Sequence, residues 1–171
     1  MKKIYYTWKQ VEGACLEIAR QINNSDWRPD YVVGITRGGL VPAVLLSQYL
    51  DVPMKSLDVS LRDGGDLVSN CGMSEDAFGY NGEIGNPVAK NILVVDDIND
   101  QGSTIAWIKQ DWQSSCLPND ERWNFVWSYN VRFATLTTNM ASKEGVDYTV
   151  WEVNKEEEDC WLVYPWEDYW L

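Results

Sequence analysis

The spacing of apolar residues along the chain predicts where helices and strands lie. From Trp8 to Ile22, apolar residues recur every three or four positions, which is the period of an amphipathic helix. Thr7 and Gln10 have the spacing of a capping box, in which each side chain accepts a hydrogen bond from the other residue's backbone. The pattern therefore predicts a first helix over residues 8–23.

Short apolar runs bounded by turn residues alternate with further helical stretches. Such runs predict strands, and their alternation with helices predicts an α/β fold with a mainly parallel, twisted sheet flanked by helices. Ligands of such folds bind at the carboxyl ends of the strands. The predicted strands are 31–35, 54–61, 91–95, 124–133 and 146–153, and the predicted helices after the first are 40–50 and 104–112.

Two segments depart from this alternation. Residues at about 60–90 are rich in glycine, asparagine and acids and show no period, which predicts a mobile functional loop, an extended hairpin or partial disorder. Aromatic residues in 151–171 surround the acidic run Glu156–Asp159 and predict either packing on the sheet edge or a lid over a planar ligand. No linker separates two cores, so we predict one domain over 1–171 with a small C-terminal hood.

Paired carboxylates follow the strand predicted at 91–95. Asp96 and Asp97 offer the oxygen ligands that suit ribose hydroxyls or a hydrated Mg2+. The next turn, residues 101–104, opens a helix, so its backbone N–H groups and the helix dipole favour an anion. A glycine-containing loop at 36–39 also follows a predicted strand. Together these features predict a sugar-phosphate site.

Composition narrows the class of protein further. The net charge of −12, from 14 basic and 26 acidic residues, opposes nucleic acid and anionic membranes as partners. Histidine is absent, which removes Ser-His and Cys-His catalysis and leaves carboxylates for acid–base chemistry. The 171-residue sequence has no signal peptide or membrane-spanning apolar run, and its four cysteines are scattered. We therefore predict a soluble, cytoplasmic protein with reduced thiols.

Five segments of the sequence resemble the type I phosphoribosyltransferase family, and within it the xanthine-guanine branch. The segment Val94–Thr104 resembles the family's fingerprint for phosphoribosyl pyrophosphate (PRPP), and the segment Cys160–Glu167 resembles the hood that covers the purine. The segments are Tyr6–Trp8, Gly34–Pro42, Val94–Thr104, Val146–Val150 and Cys160–Glu167.

The resemblance implies Mg2+-dependent transfer of a phosphoribosyl group from PRPP to guanine, xanthine or hypoxanthine, giving the nucleoside 5′-monophosphate and pyrophosphate. Asp96 and Asp97 would bind the ribose hydroxyls and Mg2+, and Asp100 would exchange a proton with purine N7. Arg37 would stabilise the leaving pyrophosphate, and Trp161 would stack on the base. The other implied contacts are Gln101, Gly102, Ser103 and Thr104 to the 5′-phosphate, Thr36, Gly38 and Gly39 to pyrophosphate, and Leu162 to the base.

Two further implications concern the base and the entrance of the site. Members that use six-oxopurines place a lysine after the strand that we align with residues 124–130, where it contacts the exocyclic oxygen. The sequence from Ser128 to Phe133 has no lysine, and Asn130 or Arg132 would replace it as the base-reading group. The segment 60–86 would close over the site and exclude water.

Two alternatives to this function stay open. One is a non-catalytic regulatory protein that keeps the PRPP site, and the other is a phosphoribosyltransferase with a non-purine acceptor. The partners implied by the resemblance are PRPP and a purine base, without nucleic acid or membrane. The resemblance also implies a homo-oligomer, either a dimer or a tetramer.

Overall fold

The computed structural model describes residues 1–59, 71–80 and 88–167 of the chain. In these ranges the strands are β1 Lys2–Tyr5, β2 Tyr31–Ile35, β3 Met54–Leu57, β4 Ile92–Asn99, β5 Val131–Asn139, β6 Tyr148–Val153 and β7 Cys160–Val163. The helices are α1 Trp8–Asn24, α2 Leu40–Leu50, α3 Cys71–Phe78 and α4 Ser103–Ser115, with short 3-10 helices at Glu121–Phe125 and Pro165–Glu167.

The central sheet has the strand order β3-β2-β4-β5-β6, and each pairing is parallel. Strand β4 lies in the middle, with Val94 opposite Val33 of β2 and Val95 opposite Ala134 of β5. Because the strands are parallel, their carboxyl ends meet at one edge of the sheet. The predicted α/β fold with a parallel sheet flanked by helices is confirmed.

Two apolar clusters cover the two faces of this sheet. Successive residues of a strand point to opposite faces, so Leu93 packs with α1 and α2 whereas Val94 packs with α3 and α4. Fully buried side chains such as Leu46 and Ile108 each contribute about 2 kcal/mol through removal from water. The site at the sheet edge is therefore supported by a helix layer on each side.

Helix α1 begins where its capping residues predict. The backbone N–H of Gln10 donates to Thr7 Oγ1 at 3.1 Å, and the Thr7 N–H donates to Gln10 Oε1 at 2.8 Å. The predicted strand at 31–35 and the helix at 40–50 also match the structure, with Pro42 in the first turn of α2. In these segments local pattern and tertiary packing favour the same conformation.

The strand predicted at 124–133 is wrong over most of its length. Residues Glu121–Phe125 form a 3-10 helix, and a turn with Ser128 at φ 66° precedes β5, which begins at Val131. The apolar residues Val126 and Trp127 imitate a strand pattern because they pack against the sheet from this turn. As a result, β5 ends at Asn139, nine residues beyond the strand end that the base-reading prediction used.

The hood is built from both ends of the chain, which the sequence did not indicate. Strand β1 pairs in parallel with β7 in a separate two-stranded sheet, with Ile4 opposite Leu162. The predicted hood therefore includes β7 and the 3-10 helix Pro165–Glu167, whereas residues 151–153 belong to β6. Residues 168–171 lie outside the described ranges.

The segment at about 60–90 contains a helix that the sequence pattern did not predict. Helix α3 packs Met73 and Phe78 into the core cluster on the α4 face of the sheet. The flanking residues 60–70 and 81–87 lie outside the described part of the chain, as does most of the predicted closing loop. The strand predicted at 54–61 is described only to residue 59, and β3 ends at Leu57.

The described residues also bear on the predictions about membranes and thiols. Within residues 1–59, 71–80 and 88–167, no helix combines the length and apolar character needed to cross a bilayer. Cys15 is completely buried in the α1 face, and burial raises the pKa of its thiol to about 12. A thiol of that kind stays protonated and serves packing.

Candidate active site

A cavity of about 680 Å³ opens at the carboxyl edge of the central sheet. Its walls come from the loops after β2 and β4, the beginning of α4, the turn after β6, and β7 of the hood. This volume suits a small-molecule ligand. Of the predicted site residues, those lining it are Thr36, Arg37, Asp96, Asp97, Asp100, Gln101, Gly102, Ser103, Thr104, Trp161 and Leu162.

The acidic pair lies in the last part of β4 and is held by the backbone. Asp96 accepts a hydrogen bond from the Asp97 N–H at 2.9 Å, and Asp97 accepts one from the Ile98 N–H at 2.7 Å. Burial, followed by repulsion from Asp97, raises the pKa of Asp96 well above its usual range. Burial also raises the pKa of Asp97 to about 6, and Glu167 adds to this effect. Both carboxyls favour a nearby cation when they ionise.

The donor set fits a magnesium ion that shares its ligands with a substrate. Asp96 and Asp97 supply hard carboxylate oxygens, which Mg2+ prefers. Among the described residues, no group of three or more histidine, cysteine, aspartate or glutamate side chains is placed to hold a metal. A hydrated ion completed by substrate oxygens therefore suits this pair better than an ion enclosed by protein.

The raised pKa of Asp97 predicts a pH-dependent stability difference between the wild type and Asp97→Asn. The folded protein holds a proton at about pH 6 that the unfolded chain, with its usual pKa of 3.8, has released. The raised pKa of Asp97 therefore makes the free energy of unfolding fall as the pH rises from 3.8 through 6, and the stability present below pH 3.8 is lost above that range. Between pH 4 and pH 7 we expect the variant to gain about 2 kcal/mol relative to wild type.

Urea unfolding in the presence of EDTA at several pH values measures this difference. The exposed Asp159, changed to asparagine, serves as the matched control. A wild-type minus Asp97→Asn difference that is constant across this pH range would contradict the raised pKa.

The turn before α4 has the backbone geometry that suits the predicted anion site. Gly102 adopts a left-handed conformation with φ 86°, and a Cβ there would meet the backbone of Glu144 at 2.8 Å. Helix α4 begins directly afterwards at Ser103, so the N–H groups of its first turn have no partners within the helix. These groups and the Ser103 and Thr104 hydroxyls line the cavity and can bind a phosphate.

The loop after β2 contributes two of its four predicted residues to the cavity. Thr36 and Arg37 line it, and Thr36 Oγ1 donates to Asp58 Oδ1 at 3.1 Å. Gly38 and Gly39 are not among the residues that line the cavity, and their role as pyrophosphate contacts stays a prediction. Both positions also leave no room for a side chain, because a Cβ on Gly38 would overlap the Asp97 carboxylate, and one on Gly39 would crowd backbone carbonyls of β2 and β4.

The opposite half of the cavity lies under the hood. Trp161, which is 47% exposed, and Leu162 present an aromatic and an aliphatic surface from β7. Facing residues include Asp100, whose Oδ2 accepts a hydrogen bond from Lys155 Nζ at 3.1 Å. The site therefore joins a half that suits a sugar phosphate to a half that suits a planar ring.

Several functional candidates were missed from the sequence. Lys155, Asp58 and Glu167 line the cavity, and Asn139 supports it from the end of β5. Lys155 follows the carboxyl end of β6 by two residues. The rule that ligands bind at the carboxyl ends of parallel strands was applied after the strands at 31–35 and 91–95, and its application to β6 would have found this lysine.

Asn130 and Arg132 lie at the wrong end of the sheet to read a base in this cavity. Asn130 precedes β5, and its amide donates to the carbonyls of Ala77 and Lys90 at 2.8 and 3.0 Å. Arg132 is opposite Leu93 near the amino end of β4. The structure thereby corrects both predictions, since the strand begins where the sequence placed its end.

Arg132→Ala is expected to lower stability and leave base recognition unchanged. Its guanidinium donates to the Tyr129 carbonyl at 3.0 Å and to the Tyr148 hydroxyl at 2.8 Å, and it lies 4.7 Å from the Trp27 ring centre. Loss of these contacts should cost about 1–2 kcal/mol in chemical denaturation. An increased KM for the base together with normal stability would contradict this expectation and show that Arg132 contributes to base binding.

The fold and the cavity together define a class of protein, an α/β protein whose cavity at the carboxyl edge of its sheet suits a phosphorylated sugar. The family described as phosphoribosyl transferase domain matches residues 1–167, and the chain belongs to that family. The family resemblance predicted from the sequence motifs is confirmed.

Relatives and solved structures agree with this membership. The hypoxanthine-guanine phosphoribosyltransferase of Schizosaccharomyces pombe is 24% identical over 187 residues, covering 96% of this chain and 89% of the relative. The xanthine-guanine phosphoribosyltransferase of Cereibacter sphaeroides is 25% identical over 179 residues, covering 97% and 87%. The crystal structure of a purine phosphoribosyltransferase from Pyrococcus horikoshii Ot3 has a TM-score of 0.67 at 26% identity, covering 100% of this chain and 98% of the other.

Proposed function

We propose that the protein transfers a phosphoribosyl group from PRPP to a purine base, releasing pyrophosphate and forming the nucleoside 5′-monophosphate. The acceptors proposed are guanine, xanthine or hypoxanthine, which include the bases in the names of the relatives. The observation that carries the proposal is one cavity that joins the acidic pair, the α4 amino end and Trp161 in a chain of this family.

The residues along the cavity suit successive parts of PRPP. Asp96 and Asp97 accept hydrogen bonds from the ribose hydroxyls, and the residues 101–104 receive the 5′-phosphate. Thr36 and Arg37 bind the pyrophosphate, where the guanidinium stabilises the negative charge that grows as the leaving group departs. When bound, Mg2+ would be held by the two aspartates and would neutralise charge on the pyrophosphate.

The chemical step breaks the bond between the anomeric carbon and a pyrophosphate oxygen and forms a bond to a base nitrogen. As the new bond forms, the base loses a proton, which Asp100 accepts from N7. Trp161 stacks on the base and fixes its plane, while Leu162 packs beside it. Glutamate and aspartate are the natural proton acceptors for this step because the sequence has no histidine.

Three further parts of the proposal concern the metal ion, the location and the oligomeric state of the protein. We infer magnesium dependence from the carboxylate pair and a dimer or tetramer from the family resemblance, and the cytoplasmic location predicted from the sequence is part of the same proposal. Light scattering on the purified chain measures the oligomeric state.

The experiment that tests the function combines the protein with PRPP, MgCl2 and a panel of purine and pyrimidine bases, and follows pyrophosphate and nucleotide. Formation of a purine nucleotide at a rate well above that of the Asp100→Asn protein supports the proposal. PRPP binding without transfer to any base favours the regulatory alternative, and transfer restricted to pyrimidines favours a non-purine acceptor.

A further inference from the structure

Lys155 brings a positive charge into the half of the cavity that contains Trp161. Its Nζ lies 5.9 Å from the centre of the Trp161 ring, and its side chain is 19% exposed. Among the described residues that line the cavity, Arg37 and Lys155 are the cations, and Arg37 comes from the loop after β2. Lys155 is therefore the described cation placed beside the aromatic surface of the hood.

The lysine forms an ion pair with the proposed proton acceptor. Its Nζ is 3.1 Å from Asp100 Oδ2 and donates a hydrogen bond to it. The two groups come from different strands, since Asp100 follows β4 and Lys155 follows β6. A donor and an acceptor thus stand side by side at the edge of the space under Trp161.

A buried amide at the end of β5 holds both members of the pair. The Asn139 amide donates to the Asp100 carbonyl at 3.0 Å and to its Oδ1 at 3.3 Å. The Asn139 Oδ1 accepts a hydrogen bond from the Lys155 backbone N–H at 3.1 Å. The turn that contains Lys155 is closed by the Glu157 and Glu158 N–H groups, which donate to the Asn154 carbonyl at 3.2 and 2.9 Å. The relative position of the pair is therefore set by the backbone.

Such a pair is complementary to one edge of a 6-oxopurine. An ammonium group can only donate, and a carboxylate can only accept. A 6-oxopurine presents its carbonyl oxygen beside N7, which carries a hydrogen in one tautomer of the free base. A 6-aminopurine presents an amino group at the same place, so an ammonium there would face another donor. The pair thus matches the first class of base and rejects the second.

We propose that Lys155 is the specificity-determining residue, donating to the exocyclic oxygen of the base while Asp100 accepts the N7 hydrogen. Asn139 acts as a positioning residue for both. This inference rests on the proposed phosphoribosyl transfer to a purine and assigns the residue that selects 6-oxopurines over 6-aminopurines. The resemblance implies a lysine after a strand of the sheet, and the first lysine after β5, Lys143, is not among the described residues that line the cavity. In this chain the positive charge beside Asp100 comes instead from Lys155, in the turn after β6.

The test compares hypoxanthine with adenine as acceptors for the wild type, Lys155→Met and Lys155→Arg. We expect Lys155→Met to lower kcat/KM for hypoxanthine by about 10- to 100-fold, mainly through the KM for the base. The KM for PRPP should stay unchanged, and the preference for hypoxanthine over adenine should shrink by a similar factor. Lys155→Arg keeps the charge and should restore part of the preference.

Binding of IMP and AMP, measured by calorimetry, provides a readout that needs no turnover. The wild type should bind IMP more tightly than AMP, and Lys155→Met should remove most of that difference. Asn139→Ala should reduce the same IMP-to-AMP ratio, which a loss of stability alone would leave unchanged.

The matched control is Lys2→Met. Lys2 pairs with Glu158 at 3.0 Å, in the same turn as Lys155 but outside the cavity lining, so its loss removes an equal charge from an exposed pair. The control should keep the wild-type preference.

Failure of this inference can be distinguished from failure of the proposed function. Absence of transfer to every base by the wild type overturns the function. Transfer to hypoxanthine with an unaltered preference in a folded Lys155→Met protein overturns the role of Lys155 alone. If Lys155→Met does not fold, as judged by thermal melting, Lys155→Gln replaces it, and an unaltered IMP-to-AMP ratio in that variant likewise overturns the role of Lys155.

Discussion

Asp100→Asn is expected to lower kcat by about 100- to 1,000-fold with the best base of the panel. Asparagine cannot take up the proton that the base loses, whereas its shape and its Oδ1 acceptor keep the hydrogen bond from Asn139. Because the proposed PRPP site consists of the acidic pair, the α4 turn and the loop after β2, the KM for PRPP should change by less than about threefold. Steady-state kinetics with each substrate varied in turn measures both quantities.

Asp159→Asn, an exposed change in the acidic turn after β6, is the control for this prediction and should leave kcat as it is. Parallel losses of turnover and of PRPP affinity in Asp100→Asn would mean that Asp100 acts mainly in PRPP binding.

Gly38→Ala is expected to lower kcat/KM for PRPP by about 100-fold while the fold is retained. The new methyl group would occupy the space of the Asp97 carboxylate, which is the movable end of a side chain. The Asp97 side chain should therefore move to another rotamer, and Asp96 and Asp97 should bind the ribose and Mg2+ more weakly. Kinetics at saturating base, together with a thermal melt, separates the effect on the site from an effect on stability.

Two other glycines serve as comparisons. A methyl group on Gly39 would meet the carbonyl oxygens of Val95 and Ile35, which the sheet holds in place, so Gly39→Ala should lose about 3 kcal/mol of stability. Gly13 lies in α1, where an added methyl group would meet nothing within 4 Å, and Gly13→Ala should gain about 0.5–1 kcal/mol. Normal PRPP kinetics in Gly38→Ala would show that Asp97 adapts without cost to the site.

The segment from β4 through α4 could be predicted in detail because its parts are neighbours in the sequence. An apolar strand, Asp96 and Asp97 at its end and Gly102 before a helix form one local unit, and this unit lines the cavity as expected. The capping residues Thr7 and Gln10 could be predicted for the same reason, because they lie three residues apart. In both cases the interactions span a few residues, so they require no knowledge of the rest of the fold.

The prediction of the base-reading group failed for an identifiable reason. Val126 and Trp127 bury their side chains from a turn, and this burial has the same apolar signature as a strand. The predicted strand therefore ended near Asn130, which the structure places at the start of β5. Because the two ends of a parallel strand lie on opposite edges of the sheet, an error of nine residues moved the predicted group away from the cavity.

The hood illustrates a second limit of local patterns. Strand β1 contains a basic, partly exposed sequence with weak alternation, and its pairing with β7 joins residues more than 150 positions apart, such as Lys2 and Cys160. Nothing near Lys2 in the sequence specifies that partner, and the strand forms because the hood offers an unpaired edge.

The sequence by itself determined the family, the parallel α/β architecture and the residues proposed for the sugar-phosphate half of the site, since those features reside in contiguous motifs with their own strands and turns. The tertiary structure alone decided which side chains meet beside Trp161 under the hood. Lys155, Asn139 and Asp100 come from the ends of three different strands, and their hydrogen bonds depend on the register and length of β4, β5 and β6. Pairing between strands that are far apart in the sequence sets that register, so it cannot be predicted from a local pattern.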